Sequence, residues 1–171
     1  MPKRDEILQA LEAIGRRLAA DGKKGHILIA GGASMCLVHS ARETTEDVDA
    51  LYEPRNDIML HSFEVGEKFG WEPGWLNQGV RAFMDEDVPS ELFVSFPGLQ
   101  VFTVTPEYLL SMKLKAGRSG TSDFSDARFL IKKLGLKSVE EALAVVGKYL
   151  EPDQLTTQAK LTLKEMFRQK E

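Results

Sequence analysis

The sequence predicts an α+β (mixed α/β) domain: a small mixed β-sheet, flanking helices and a C-terminal helical extension. Three observations carry that prediction. Apolar residues recur at helical spacing near the start, at Ile7, Leu11, Ile14 and Leu18. Short runs of strand character then alternate with helical patterns as far as Val104. From Pro106 onward the remaining segments read as helices.

The first helix is expected over about Asp5–Asp21, and Gly22 and Gly25 break the chain after it. His26–Ala30 is a short apolar run that reads as a buried strand. Gly31-Gly32 ends it, and Ala33–His39 reads as the opening of a helix. Asp47–Tyr52 alternates in character, as a strand with two unlike faces does. A second amphipathic helix follows Pro54 and Asn56, with Ile58, Ser62, Val65 and Phe69 on one side. Gly70–Ser90 reads as irregular, and Leu92–Phe96, Pro97-Gly98 and Leu99–Val104 as strand, turn and strand. The tail is expected as helices over about Pro106–Gly117, Ser122–Leu134, Val139–Leu150 and Pro152–Gln169. Ser138 with Glu141 forms a capping-box signature for the third of these.

Composition narrows the function classes. The 171 residues amount to one domain, with a core over about 26–118 and a helical tail over about 119–171. Hydrophobic residues at 43 % supply a core, so disorder is not the expected state. No apolar run approaches the ~20 residues that span a bilayer, so no membrane partner is expected. The opening MPKRDEILQALEAIG is charged and amphipathic, unlike a signal peptide, and a cytoplasmic location is expected. The single cysteine, Cys36, excludes an internal disulfide and a cysteine-built zinc site. Lys and Arg total 22 against 26 Asp and Glu, so there is no global basic footprint for nucleic acid.

Two features carry chemistry. A strand runs into Gly31-Gly32-Ala33-Ser34 and then a helix. Glycines allow close backbone approach, helix N–H groups favour an anion, and Ser34 adds a hydroxyl. By itself such a turn is ordinarily only a tight turn. The second feature is Asp47-Val48-Asp49, whose carboxylates share one face of a strand. Like charges that close repel, and a divalent cation such as Mg²⁺ removes the cost. By itself the pair reads equally as an exposed acidic strand end. Together the two features supply what nucleotidyl transfer requires: a phosphate cradle beside a metal site.

With Gly31–Ser34 and Ala41–Leu51, the chain resembles the nucleotidyltransferase superfamily that includes DNA polymerase beta, in its minimal bacterial form. It looks closest to abortive-infection and toxin–antitoxin nucleotidyltransferase-like proteins. Thr105–Arg118 resembles the helix that follows their sheet, and Asp123 and Asp126 resemble the Asp pair of the next helix. The resemblance implies a sheet of the nucleotidyltransferase type and transfer of NMP from a nucleoside triphosphate to a hydroxyl of RNA or protein. It implies Mg²⁺ or Mn²⁺ on Asp47 and Asp49, phosphates on Gly31, Gly32, Ser34 and Arg118, and Lys113 neutralising developing charge. A cognate toxin or antitoxin would be the partner. Lys113 and Arg118 also fit a solvated helix surface, and Asp123 and Asp126 a charged first turn. Such enzymes commonly carry a third carboxylate on a later strand. Neither late strand holds an Asp; Glu91 is the nearest candidate, Asp85 and Asp87 lie in the loop, and Gln78 stands where related sequences often have an acid. That departure motivates an alternative, a catalytically inactive nucleotide- or partner-binding module on the same scaffold.

Other residues have ordinary readings. His26, His39 and His61 match no metal spacing, Cys36 reads as a small buried hydrophobe, and the tail lysines as a solvated surface. Trp71 and Trp75 either pack their loop down or offer a face for a base.

Overall fold

Ile7, Leu11, Ile14 and Leu18, the helical repeat that opens the chain, are all fully buried, and they fix the face on which the first layer is built. In this computed structural model, which describes residues 1–84, 87–117 and 121–168, they belong to helix α1 (Arg4–Ala20). The chain divides into two compact units, Met1–Val104 and Thr105–Glu171. No helix among the described residues is long and apolar enough to cross a membrane.

In the first unit, β1 (Gly25–Ile29), α2 (Gly31–Leu37), β2 (Val48–Glu53), α3 (Arg55–Phe69), β3 (Leu76–Asn77), β4 (Ser90–Phe96) and β5 (Leu99–Val104) follow α1. The five strands form one mixed sheet in the order β3-β2-β1-β5-β4. β1 runs antiparallel to β2 and parallel to β5, β2 runs parallel to β3, and β4 and β5 form an antiparallel hairpin. The pleat sorts the faces. Ile27, Ile29, Val48, Ala50, Leu99 and Val101 point into a core completed by α1, α2 and α3. Each large aliphatic side chain so buried contributes about 1.5–3 kcal/mol. Leu28, Asp49, Leu51 and Phe102 point to the other face and are half-buried. Close approach of α1 to the hairpin depends on Gly15, where a Cβ would stand 2.6 Å from the Pro97 carbonyl oxygen.

The segment expected as irregular holds β3 and a 3₁₀ turn at Gly79–Ala82. A two-residue strand is too short to show alternation, so only its pairing with β2 reveals it.

The second unit is helical: α4 (Pro106–Ala116), α5 (Asp123–Lys133), α6 (Val139–Val146) and α7 (Thr157–Arg168). The Ser138 hydroxyl accepts from the Glu141 N–H at 3.1 Å, while the Glu141 carboxylate reaches back to the Lys137 N–H at 2.7 Å, one residue beyond the expected box partner. α6 stops at Val146, short of the expected Leu150. The last helix starts later than Pro152, which instead opens a 3₁₀ turn. Leu155 is extended, and the Thr156 hydroxyl accepts from the Ala159 N–H at 3.1 Å as α7 begins.

Candidate functional site

β2 places the Asp pair. Val48, Ala50 and Tyr52 are buried on the core side, and Asp49, with Asp47 just before the strand, takes the other side, half-exposed. β3 lies alongside with Asn77 in register with Asp49. The Asn77 Nδ2 donates to Asp47 Oδ2 at 3.0 Å, and its Oδ1 accepts from the Gly79 N–H at 2.8 Å. One amide thus orients a carboxylate and closes the turn beyond it. The Thr45 hydroxyl donates to the Asp47 carbonyl at 3.0 Å and steadies the approach to the strand.

Gly31 and Gly79 wall the space around Asp49. A Cβ on Gly31 would stand 3.4 Å from Asp49 Oδ2, and one on Gly79 would stand 3.6 Å from Asp49 Oδ1 and 2.9 Å from Asn77 Oδ1. Gly31 also has φ +60°, a left-handed conformation that only glycine takes readily. A Cβ on Gly32 would lie 3.3 Å from Thr45 Oγ1 and 3.5 Å from Arg42 Nη1. The Ala30 N–H donates to the Asp49 carbonyl at 3.0 Å, which ties the glycine turn to the strand. Gly31 thus lies against Asp49, Asn77 links Asp47 to the same edge, and Gly32 sits beside Thr45 and Arg42.

Ser34 is not. Its side chain is fully buried on the core side, where Oγ lies 2.7 Å from Thr103 Oγ1. It is three residues beyond Gly31 on α2, so its hydroxyl turns inward and does not line the cradle; the expectation of a phosphate donor is corrected. Cys36, in the same helix, is buried as expected, and that burial pushes its thiol pKa up against a weaker opposing pull from Arg42 and Arg4.

Glu91 does not complete the pair either. It stands opposite Thr103 in the β4–β5 register, and Thr103 aligns with core-facing Ile29. Register therefore assigns Glu91 to the sheet face opposite Asp47 and Asp49. Asp87 is exposed in the loop, Asp85 lies outside the described residues, and the Gln78 amide donates to the Tyr52 carbonyl at 3.0 Å. Among the described residues, no group of three or more His, Cys, Asp or Glu side chains is placed to hold a metal ion.

The second unit gathers the other candidates. Lys113 on α4 is buried, and its ammonium lies 3.1 Å from Asp123 Oδ1 and 2.8 Å from Asp126 Oδ2 on α5. The Thr121 hydroxyl donates to Asp123 Oδ2 at 2.9 Å. Lys113 is thus neither solvated nor a free phosphate ligand: two buried carboxylates hold it. Arg118 lies outside the described residues.

Trp75 packs the loop down. It is 4 % exposed, donates Nε1–H to the Ser62 carbonyl at 2.8 Å, and meets Trp71 edge-on at 4.8 Å. His26 is exposed on β1, His39 is buried, and buried His61 pairs through Nε2 with Asp21 at 3.0 Å. Asn77 is the site residue whose role the sequence reading missed. Its signal was Asn77-Gln78-Gly79, since an Asn side chain commonly bonds the N–H two residues on.

No family model matches the chain, and no curated protein sequence matches it. Among solved structures it is similar to an antigenic nucleotidyltransferase-like protein from Paracoccidioides brasiliensis, at 16 % identity over 94 % of each chain and a TM-score of 0.47. A likeness of that degree does not extend to chemistry, which rests on the side chains of this chain.

Proposed function

We propose that this chain is a metal-dependent nucleotidyltransferase, which moves a nucleoside monophosphate from a nucleoside triphosphate to a hydroxyl of RNA or protein: the hydroxyl oxygen bonds to the α-phosphorus, the α–β phosphoanhydride bond breaks, and pyrophosphate leaves. One observation carries the reading: the two oxygens of Asp49 face glycine on either side, while Asn77 holds Asp47 on the same face. Two carboxylates beside backbone-walled space fit Mg²⁺ or Mn²⁺, hard cations that take one or two carboxylates and leave other positions to phosphate oxygens and water. Asp47 and Asp49 would hold the ion, which would supply charge neutralisation to the phosphates. Asn77 fixes the carboxylate of Asp47, and Gly31 and Gly32 let backbone approach the phosphates closely. Arg118 is the remaining base that the family resemblance assigns to phosphate, because Lys113 is held by Asp123 and Asp126. A toxin–antitoxin or phage-defence role belongs to the same reading.

A second reading has its own support. No third carboxylate joins the pair among the described residues, and Glu91 takes the other face. This favours a catalytically inactive nucleotide- or partner-binding module on the same scaffold.

Calorimetry with ATP, CTP, GTP and UTP in Mg²⁺ tests what the readings share. The wild-type chain is expected to bind at least one of them only with metal, and the Asp47→Asn, Asp49→Asn double variant to lose that binding. Equal binding by the variant would refute the site. A bound ligand at 100 times its dissociation constant also adds ~2.7 kcal/mol of stability, readable as a melting shift. Transfer of label from α-phosphate-labelled nucleotides to RNA or protein separates the enzyme from the inert module.

A further inference from the structure

Large apolar side chains scattered singly on a surface are ordinary, whereas a contiguous group marks an interaction site. Eight large apolar residues are exposed among the described residues, and three of them, Met59 at 53 %, Leu60 at 56 % and Phe63 at 47 %, lie within five positions on α3. Residues spaced this way share a helix face. The patch does not end at the helix. Phe63, Gly66 and Glu67 form one wall of a cleft of about 280 Å³, whose other wall is Trp71, Glu72 and Pro73. Across that loop lies a second cleft of about 360 Å³, lined by Glu46, Asp47, Trp71, Glu72 and Pro73. The loop between Phe69 and Trp75 is held by stacked rings, with Phe69 and Trp71 at 4.7 Å, so both clefts have a firm common wall.

The charge of this surface is predominantly negative. Glu46, Asp47, Glu67 and Glu72 rim the clefts, and among the described residues the one cation beside these four carboxylates is the Met1 α-ammonium at the larger cleft. The bases of α3, Arg55 and Lys68, stand near its two ends. Such a surface repels the phosphates that dominate nucleic-acid affinity. It suits apolar side chains flanked by cations, with the half-buried Trp71 ring available to an ammonium or guanidinium.

We propose that the face running from Met59 and Phe63 across Trp71 to Asp47 docks a polypeptide segment whose apolar side chains are flanked by lysine or arginine. Docking is independent of the nucleotidyltransferase reading. The further assignment, that the docked polypeptide rather than RNA carries the acceptor hydroxyl, rests on that reading, because the second cleft opens at Asp47 itself.

The chain reports its own binding, since its two tryptophans, Trp71 and Trp75, both line the clefts. The probes are an amphipathic Leu/Phe/Lys peptide of about twenty residues, its isomer with Glu for Lys, and oligouridine of matched length. Tryptophan fluorescence and anisotropy are read without nucleotide or metal. The basic peptide is expected to bind at least about tenfold more tightly than the acidic isomer and the RNA, and to weaken with salt. Leu60→Ser with Phe63→Ser removes two exposed side chains and should weaken it about tenfold, as should Glu67→Gln with Glu72→Gln. Glu140→Gln with Glu165→Gln, in the second unit, should leave it unchanged. Equal binding of the two peptides, RNA binding as tight as the peptide's, or affinity indifferent to the α3 and loop substitutions would overturn the proposal. Loss of metal–nucleotide binding alone would strike the enzyme reading and leave the docking face standing.

Discussion

Asp47 and Asp49 stand two residues apart at the start of a strand; Asp123 and Asp126 stand three apart in the first turn of a helix. Both spacings put two carboxylates on one side of their element. What they face differs. Asp123 and Asp126 close on the buried ammonium of Lys113, two carboxylates on one cation. Asp47 and Asp49 are half-exposed; the Asn77 amide holds Asp47, and Gly31 and Gly79 flank Asp49. In the first case the protein supplies its own counter-charge and builds a structural joint between α4 and α5. In the second, Gly31 and Gly79 put backbone rather than side chain beside the Asp49 oxygens. The motif type alone does not distinguish these outcomes; the partner element does.

The largest expected effect tests the joint. Lys113→Met keeps most of the side-chain volume and removes the charge, which leaves two carboxylates buried against each other. Removing one partner of a buried ion pair costs about 3–5 kcal/mol, more than an exposed pair contributes. Urea unfolding should show that loss, whereas Asp47→Asn should change stability by only about 0.5 kcal/mol because the amide oxygen still accepts from Asn77. A Lys113→Met variant as stable as wild type would erase the contrast between the two pairs.

An intermediate effect sharpens the open pair. Asn77→Ala removes both the donor to Asp47 and the acceptor for the Gly79 N–H. Groups that orient a metal ligand typically change affinity 10–100-fold, so Mg²⁺-dependent nucleotide binding should fall by about tenfold or more. Stability should fall by only about 1 kcal/mol, the scale of one or two part-exposed hydrogen bonds. Unaltered affinity in calorimetry would mean that Asn77 merely closes the turn.

Long elements and the near half of the site were legible in the sequence because each follows from local rules. The Ile7–Leu18 repeat specified α1, and alternation through Val48–Tyr52 specified which face the Asp pair takes. Whatever depends on pairing was not legible. β3 is two residues long and exists only by register with β2, so Asn77 could not be placed beside Asp47. Glu91 looked like a nearby acid in the chain, but the β4–β5 register turns it to the other face. Lys113 is expected from sequence either to neutralise phosphate charge or to lie on a solvated helix surface, because lysine is rarely buried, and the two aspartates that make burial tolerable come from the next helix.

Ser34 carries the smallest effect and the finest version of the comparison, because it separates the two faces of one glycine turn. Gly31 looks toward Asp49, while Ser34, one helical turn on, looks toward Thr103 on the core side. In Ser34→Ala the Thr103 hydroxyl loses one partner but still reaches the Val104 carbonyl at 3.3 Å, so the group is not left wholly unsatisfied. The cost should therefore be about 1 kcal/mol, near the net value of one hydrogen bond and below the penalty for an orphaned buried hydroxyl. Nucleotide affinity should not move, since the lost oxygen never faced the cradle. Calorimetry and urea unfolding on the same variant give both numbers. A fall in affinity at unchanged stability would return Ser34 to the phosphate site and require α2 to turn when ligand binds.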